Sequence, residues 1–180
     1  MRPWKKLDSK QLVDDRWLRM TADRCELPNG VVLDPFYVVH ERDWAQVFAL
    51  NSEGLLLVVR QYRYAANTTC VELPGGVVDS GEEPLAAAQR ELLEETGYTS
   101  VEWERVGSMF ANPGRQTNRI HIFLARNVFS TGGQRLEASE DIEHSFVSIA
   151  EVEEAIESGE FSQALHIASF YRCIQYANVR

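Results

Sequence analysis

The chain's 180 residues suffice for one domain with a sizeable core, and 44% hydrophobic with 25% charged residues is the composition of a soluble globular protein. The net charge of −9 excludes nucleic-acid binding by general electrostatics, so an anionic partner needs a local basic patch or metal ions. The cysteines Cys25, Cys70 and Cys173 lie far apart and form neither a zinc pattern nor a disulfide framework; they read as buried thiols of a cytoplasmic protein.

The opening "MRPWKKLDSK" carries charge but no apolar stretch, so no signal peptide is expected. From Trp17 to Tyr64 apolar and β-branched stretches alternate with turn signals, which predicts strands. Asn29-Gly30 predicts a hairpin and Asn51-Ser52-Glu53-Gly54 a second turn. The longest apolar run, Leu55 to Val59, predicts a buried central strand and is far too short to span a membrane.

Between Pro84 and Thr96 the period becomes helical. Leu85, Ala88 and Leu92 mark an apolar face, Pro84 suits the first turn, and Gly97 suits the left-handed residue beyond the last. Strands are expected again in "VEWERVGSMFA", "RIHIFLARNV" and "HSFVSI". Two helices follow, Ala150 to Ser158 and Ser162 to Gln175, the second with Ile167, Phe170, Tyr171 and Ile174 as its stripe. Strands around one internal helix, with helices at the end, predict an α/β layered sandwich with a mixed sheet.

The internal helix carries the chemistry. Glu91, Glu94 and Glu95 stand at i, i+3 and i+4, so three carboxylates are expected to share one helix face, opposite the core face of Leu85, Ala88 and Leu92, with Glu82 just ahead of the helix. They form either a solvated acidic face or a site for a divalent cation, and an all-oxygen set suits Mg²⁺ or Mn²⁺ rather than zinc.

The spacing decides between these. Gly76, Glu82, Arg90-Glu91-Leu92, Glu94-Glu95 and Gly97 fall at fixed intervals in "GVVDSGEEPLAAAQRELLEETGY". This resembles the Nudix box, the signature of hydrolases that cleave nucleoside diphosphates linked to another moiety. The final position, usually aliphatic, is Tyr98. The resemblance implies a Nudix-type α/β/α sandwich, a single domain over residues 1–180. It makes Glu91, Glu94 and Glu95 metal ligands, with the Gly75 carbonyl as a further one. Gly76 and Gly97 then have structural roles, Arg90 orients the glutamates by ion pairing, and Glu82 is either an outer ligand or a brace.

"RQYRYAANTTCVELPGG" upstream of the box resembles the ADP-ribose pyrophosphatase branch. By that resemblance Arg63 and Glu72 face substrate, Arg63 as a fork on the diphosphate and Glu72 as acceptor for a base amino group; otherwise Arg63 is a solvated strand end. Pro113 in "FANPGRQTNR" marks the same branch, while Asn118 stands where some members carry a glutamate. Arg115 and Arg119 either hold a phosphate or sugar or are solvated. The catalytic base is sought in "EASEDIEHSF", Glu140 first and Glu143 second. The branch is commonly dimeric, and an aromatic stacking on the base would come from Trp17, Tyr37 or Trp44, with Trp17 taken as the substrate contact. The implied activity is Mg²⁺-dependent cleavage of a nucleoside diphosphate sugar, ADP-ribose to AMP and ribose 5-phosphate, without nucleic acid or membrane. The alternatives are GDP-mannose, a dinucleotide such as NADH or FAD, or capped RNA as substrate, and a nucleotide-binding module without activity.

Overall fold

A computed structural model describes residues 1–177, which divide into two compact units. The first comprises Met1–Asp43 and Phe110–Arg119. Its three strands β1 (Lys5–Asp14), β2 (Arg19–Glu26) and β3 (Val32–Val39) form an antiparallel sheet in that order. The Asn29-Gly30 turn joins β2 to β3: Gly30 takes φ +85°, and the Asn29 side chain accepts the Val31 N–H at 3.1 Å. Alternation turns Thr21, Asp23 and Cys25 of β2 inward. Asp23 is ion-paired with Lys6 at 3.1 Å and receives the Ser9 hydroxyl at 2.5 Å. β1 is exposed along nearly its whole length.

The second unit comprises Trp44–Met109 and the chain from Ile120 onward. Its strands β4 (Trp44–Leu50), β5 (Leu56–Arg63), β6 (Thr68–Glu72) and β7 (Gly75–Val77) precede helix α1 (Pro84–Thr96). Then follow β8 (Tyr98–Thr99), β9 (Glu102–Phe110), β10 (Arg119–Arg126), β11 (Phe129–Ser130), β12 (Ile142–Val147), α2 (Ile149–Ser158) and α3 (Ala164–Ala177). The main sheet runs β12-β5-β4-β10-β9, with β6 beside β5 and β7 beside β4. It is mixed, because β4 and β10 are parallel whereas β5 is antiparallel to both β4 and β12.

Strand β4 shows why helices cover both faces. Ala45, Val47 and Ala49 point to one side and share a core with Ala87, Ala88 and Leu92 of α1. Gln46 and Phe48 point to the other: Ser169 of α3 donates to Gln46 at 2.5 Å, and the Phe48 ring lies 5.8 Å from that of Phe170. The Asn51–Gly54 turn forms as expected, with the Asn51 side chain accepting the N–H groups of Glu53 and Leu55. Ser148 and Glu151 close a capping box on α2. Among the described residues no helix is long and apolar enough to cross a membrane.

Two apolar faces differ from expectation. On α1 the buried residues are Ala87, Ala88, Leu92, Glu95 and Thr96, while Leu85 in the first turn is 39% exposed. On α3 they are His166, Ser169, Phe170 and Cys173, and Tyr171 is exposed. In both helices polar side chains turn inward because they have specific partners there, which hydropathy alone does not reveal.

Candidate active site

The site grows from the contact of β7 with α1. Gly75 (φ +151°) packs so tightly that a Cβ there would stand 2.2 Å from the Ala45 carbonyl oxygen of β4. A Cβ on Gly76 would stand 2.6 Å from the Glu91 carboxylate. The two glycines thus let β7 lie against both its partner strand and the acidic part of the helix. Pro84 opens that helix, and Gly97, at φ +74°, closes it by donating its N–H to the Leu93 carbonyl.

The three carboxylates do not all lie opposite the core, as the sequence suggested: Glu94 is open, but Glu95 is not. At about 100° per residue Glu95 is only about 60° from Leu92, on the buried side. Glu95 is 4% exposed, and its carboxylate accepts the Gly75 N–H at 2.8 Å. Burial pushes its pKa up to about 8, the charges of Glu91 and Glu140 add to this, and the Gly75 N–H and Arg63 oppose it. Glu91 is raised for the same chief reason, burial, against the pull of Arg90. Glu94 is the most open of the three.

Arg90 ties these groups together. Its Nη1 donates to Glu91 at 2.8 Å and Glu94 at 3.1 Å, its Nε and Nη2 grip Glu82 at 3.0 Å each, and Nη2 also reaches the Val77 carbonyl of β7. Glu82 is held below the usual carboxylate range by that grip, and it also accepts the Asp79 N–H at 3.0 Å.

Beside this cluster Arg63 leaves the end of β5. Its Nε and Nη2 form a fork on Glu72, at 3.1 Å and 2.5 Å. Burial works against the guanidinium's charge, but the Glu72 carboxylate more than offsets it, and Glu95 adds to the pull. Glu72, expected to accept a hydrogen bond from a base, is fully enclosed, and both its oxygens already receive Arg63. Glu140 sits in a turn in which its carboxylate accepts the Glu137 N–H at 2.8 Å; it is near enough for its charge to raise both Glu91 and Glu95. Glu143 is exposed on β12 opposite Arg60 of β5.

Trp17, Tyr37, Arg115 and Asn118 belong to the first unit, whereas Trp44 opens β4 of the second. Trp17 is 76% exposed with the Arg16 guanidinium 4.0 Å over its ring. Arg115 is exposed in the 110–119 segment, where its carbonyl accepts the Val39 N–H. Asn118 is buried, and its side-chain amide has no hydrogen-bond partner among the described residues. Motif spacing did not single out His166 of α3, which is buried and accepts the Leu73 N–H on Nδ1 at 3.0 Å. The one available signal was a polar residue, with Ser169, on the helix face that carries Phe170 and Cys173.

Among the described residues no three acidic, histidine or cysteine side chains already converge as a metal-binding group. The residues nevertheless fit a hard divalent cation. Their donors are all oxygen, the Gly76 backbone leaves room for the Glu91 carboxylate, and Glu95 is a buried acid whose ionisation an added positive charge would favour.

A mixed sheet between helices, with the α1 carboxylates and an arginine fork close enough for Arg63 and Glu95 to feel each other's charge, fits a site for metal-assisted chemistry on phosphate. The chain belongs to the Nudix hydrolase family: residues 40–167 match the NUDIX domain, and residues 4–39 match the nucleoside diphosphate sugar hydrolase N-terminal domain. It is similar to the ADP-ribose pyrophosphatase of Bacillus subtilis, 33% identical over 98% of this chain and 93% of that one. It is also similar to the methanol dehydrogenase activator of Bacillus methanolicus, 34% identical over 69% of this chain and 66% of that protein. A crystal structure of an ADP compounds hydrolase shares the fold with a TM-score of 0.86 at 18% identity, covering 99% of this chain and 96% of that one. The ADP-ribose pyrophosphatases of the family generally use divalent metals.

Proposed function

We propose that this chain hydrolyses the pyrophosphate bond of a nucleoside diphosphate sugar, with ADP-ribose, giving AMP and ribose 5-phosphate, as the leading substrate. The observation that carries the reading is the Glu95 carboxylate, buried beside Glu91 and within reach of the Glu140 charge, next to an arginine already oriented by Glu72. Similarity to the ADP-ribose pyrophosphatase over nearly the whole chain supports the substrate class.

Glu91, Glu94, Glu95 and the Gly75 carbonyl are the groups that would hold Mg²⁺, or Mn²⁺ in its place. A divalent ion held there would supply positive charge that favours attack of water on the diphosphate. Arg90 keeps Glu91 and Glu94 turned toward one another. Arg63 binds the diphosphate: Glu72 occupies its Nε and one Nη2 hydrogen, leaving three of the five guanidinium N–H groups for phosphate oxygens. Glu140 takes the proton as water oxygen bonds to phosphorus and the bridging P–O bond breaks toward the departing phosphate.

The protein acts as a homodimer. The exposed β1 is an unpaired sheet edge, and Leu7, Leu12, Leu18, Val31 and Val32 leave apolar surface open on the first unit. Three buried free thiols suit a cytoplasmic location.

The test is a substrate panel of ADP-ribose, GDP-mannose, NADH, FAD and capped RNA, ranked by kcat/KM with EDTA, Mg²⁺ or Mn²⁺. ADP-ribose should lead and EDTA should abolish turnover. Equal rates in EDTA, or no turnover of any diphosphate, would overturn the reading.

A further inference from the structure

The Arg63 fork has a third layer behind it. Glu72 has no exposed surface, and its Oε2 faces Gln61 Nε2 at 3.5 Å, Arg63 Nη2 at 2.5 Å and His166 Nε2 at 3.6 Å. His166 lies on α3, 94 residues along the chain from Glu72, and is itself 4% exposed, with the Phe161 ring edge-on to it. The next residue after Glu72 is Leu73, whose N–H donates to His166 Nδ1 at 3.0 Å. An imidazole that accepts on Nδ1 and remains neutral carries its proton on Nε2. The same ring therefore accepts from the backbone at one nitrogen and presents a donor to the Glu72 carboxylate at the other.

These neighbours hold the enclosed Glu72 carboxylate in place, so loss of one of them frees it to turn, and any turn of Glu72 is transmitted to the guanidinium clamped on it. Glu72 ends β6, and Leu73 and Pro74 lead into Gly75 of β7, so the Leu73 N–H bond also helps fix where that corner of the site lies.

We propose that His166 is a positioning residue for the reaction: by gripping the Leu73 N–H and backing the Glu72 carboxylate, it sets the direction in which Arg63 presents its free edge to the diphosphate. His166 touches no substrate and transfers no proton. The proposal rests on the reading of Arg63 as the diphosphate contact, and its test separates the two.

The variants are His166→Gln, which keeps a donor near the Nε2 position, His166→Asn, which keeps an acceptor near Nδ1, and His166→Phe, which keeps neither. Each is made in the wild-type and in the Arg63→Lys background. ADP-ribose kinetics with Mg²⁺ are read together with the Arg63 Nε–H signal by ¹⁵N NMR, with and without inorganic pyrophosphate. His166→Phe should raise KM about tenfold or more with kcat changed less than about threefold, and His166→Gln should recover most of that loss. In the Arg63→Lys background the same change should cost less than about twofold, because the two act on one contact. The Arg63 Nε–H should exchange about tenfold faster in the Phe variant. If His166→Phe proves too unstable to assay, the comparison of Asn with Gln carries the test: loss in Asn with recovery in Gln supports positioning through Glu72.

Equal KM losses in both backgrounds, or an unmoved Arg63 signal in a folded His166→Phe protein, would reduce His166 to a filler of the core and overturn the inference. If the wild type turns over no diphosphate while the Arg63 signal still answers to His166, positioning stands and the substrate reading fails.

Discussion

The Glu91 carboxylate occupies the space in which a side chain at position 76 would begin, 2.6 Å from where a Gly76 Cβ would lie. Two neighbouring glycines therefore answer to different constraints. Against Gly76 stands the far end of a flexible side chain; against Gly75 stands the backbone of β4, 2.2 Å from a Cβ. Gly76→Ala should fold, with Tm lowered by only a few degrees, but should displace Glu91 and weaken activation by Mg²⁺. Gly75→Ala should cost about 3 kcal/mol or more, roughly a 6–12 °C loss in Tm for a chain of this size. Thermal melts paired with Mg²⁺ titrations of activity check both; a fully active Gly76→Ala enzyme would remove Glu91 from the site.

Glu95→Gln retains the acceptor for the Gly75 N–H and removes the buried charge. The variant should fold, gain thermal stability at pH 8 in EDTA, and lose activity by about two orders of magnitude or more. Isothermal titration with Mn²⁺ should show weaker binding. Near-wild-type turnover with unchanged metal affinity would take Glu95 out of the metal site.

Much of this region was legible in the sequence because it is local. The spacing of Glu91, Glu94 and Glu95, the Pro84 start and the Gly97 stop are all properties of one helix. The depth of each carboxylate was not legible, because it depends on where β4 and β7 meet that helix. Read by hydropathy, Glu95 belongs outside and Leu85 inside; tertiary packing reverses both. Arg63 and Glu72 were visible as candidates, but not their partnership, which needs β5 and β6 paired in a register set by strand geometry. His166 depends on α3 returning to the end of β6, a contact across about half the chain.

Glu140 and Glu143 offer a cleaner contrast than their closeness in sequence suggests. The charge of Glu140 reaches Glu91 and Glu95, whereas Glu143 lies exposed on β12 opposite Arg60. Glu140→Gln should lower kcat by about two to four orders of magnitude with KM little changed, as removal of a general base does. Glu143→Gln should remain near wild type. The reverse result would move the base three residues along the loop, and two fully active variants would leave activation of the water to the bound metal.

The exposed apolar positions of the first unit bear on assembly. Sedimentation at micromolar concentration should give about twice the 20.5 kDa chain mass. Leu7→Glu together with Leu12→Glu, both on the open strand β1, should shift the protein toward monomer. A wild-type monomer, unchanged by the double substitution, would overturn the proposed homodimer.

Acid stability should report the state of His166. Burial lowers its pKa from 6.5 to about 4, while the Glu72 charge only partly opposes the shift. A group whose folded pKa is depressed is protonated more readily in the unfolded chain, so its stabilising effect is complete above pH 6.5 and is lost as pH falls toward 4. The shift corresponds to something on the order of 3 kcal/mol across that window. Urea unfolding between pH 7 and 4.5 should therefore show the wild type losing stability with a slope that His166→Gln largely removes. The Glu95 shift runs the other way: its raised pKa favours the metal-free protein at low pH and costs it stability as pH rises from about 4.5 through 8. The two are separated by comparing His166→Gln with Glu95→Gln: the first should flatten the acid limb, the second the neutral-to-alkaline limb. A His166→Gln profile parallel to wild type below pH 6.5 would mean that the buried imidazole is already protonated in the native protein, with both nitrogens donating, and that the Leu73 N–H bond is not made.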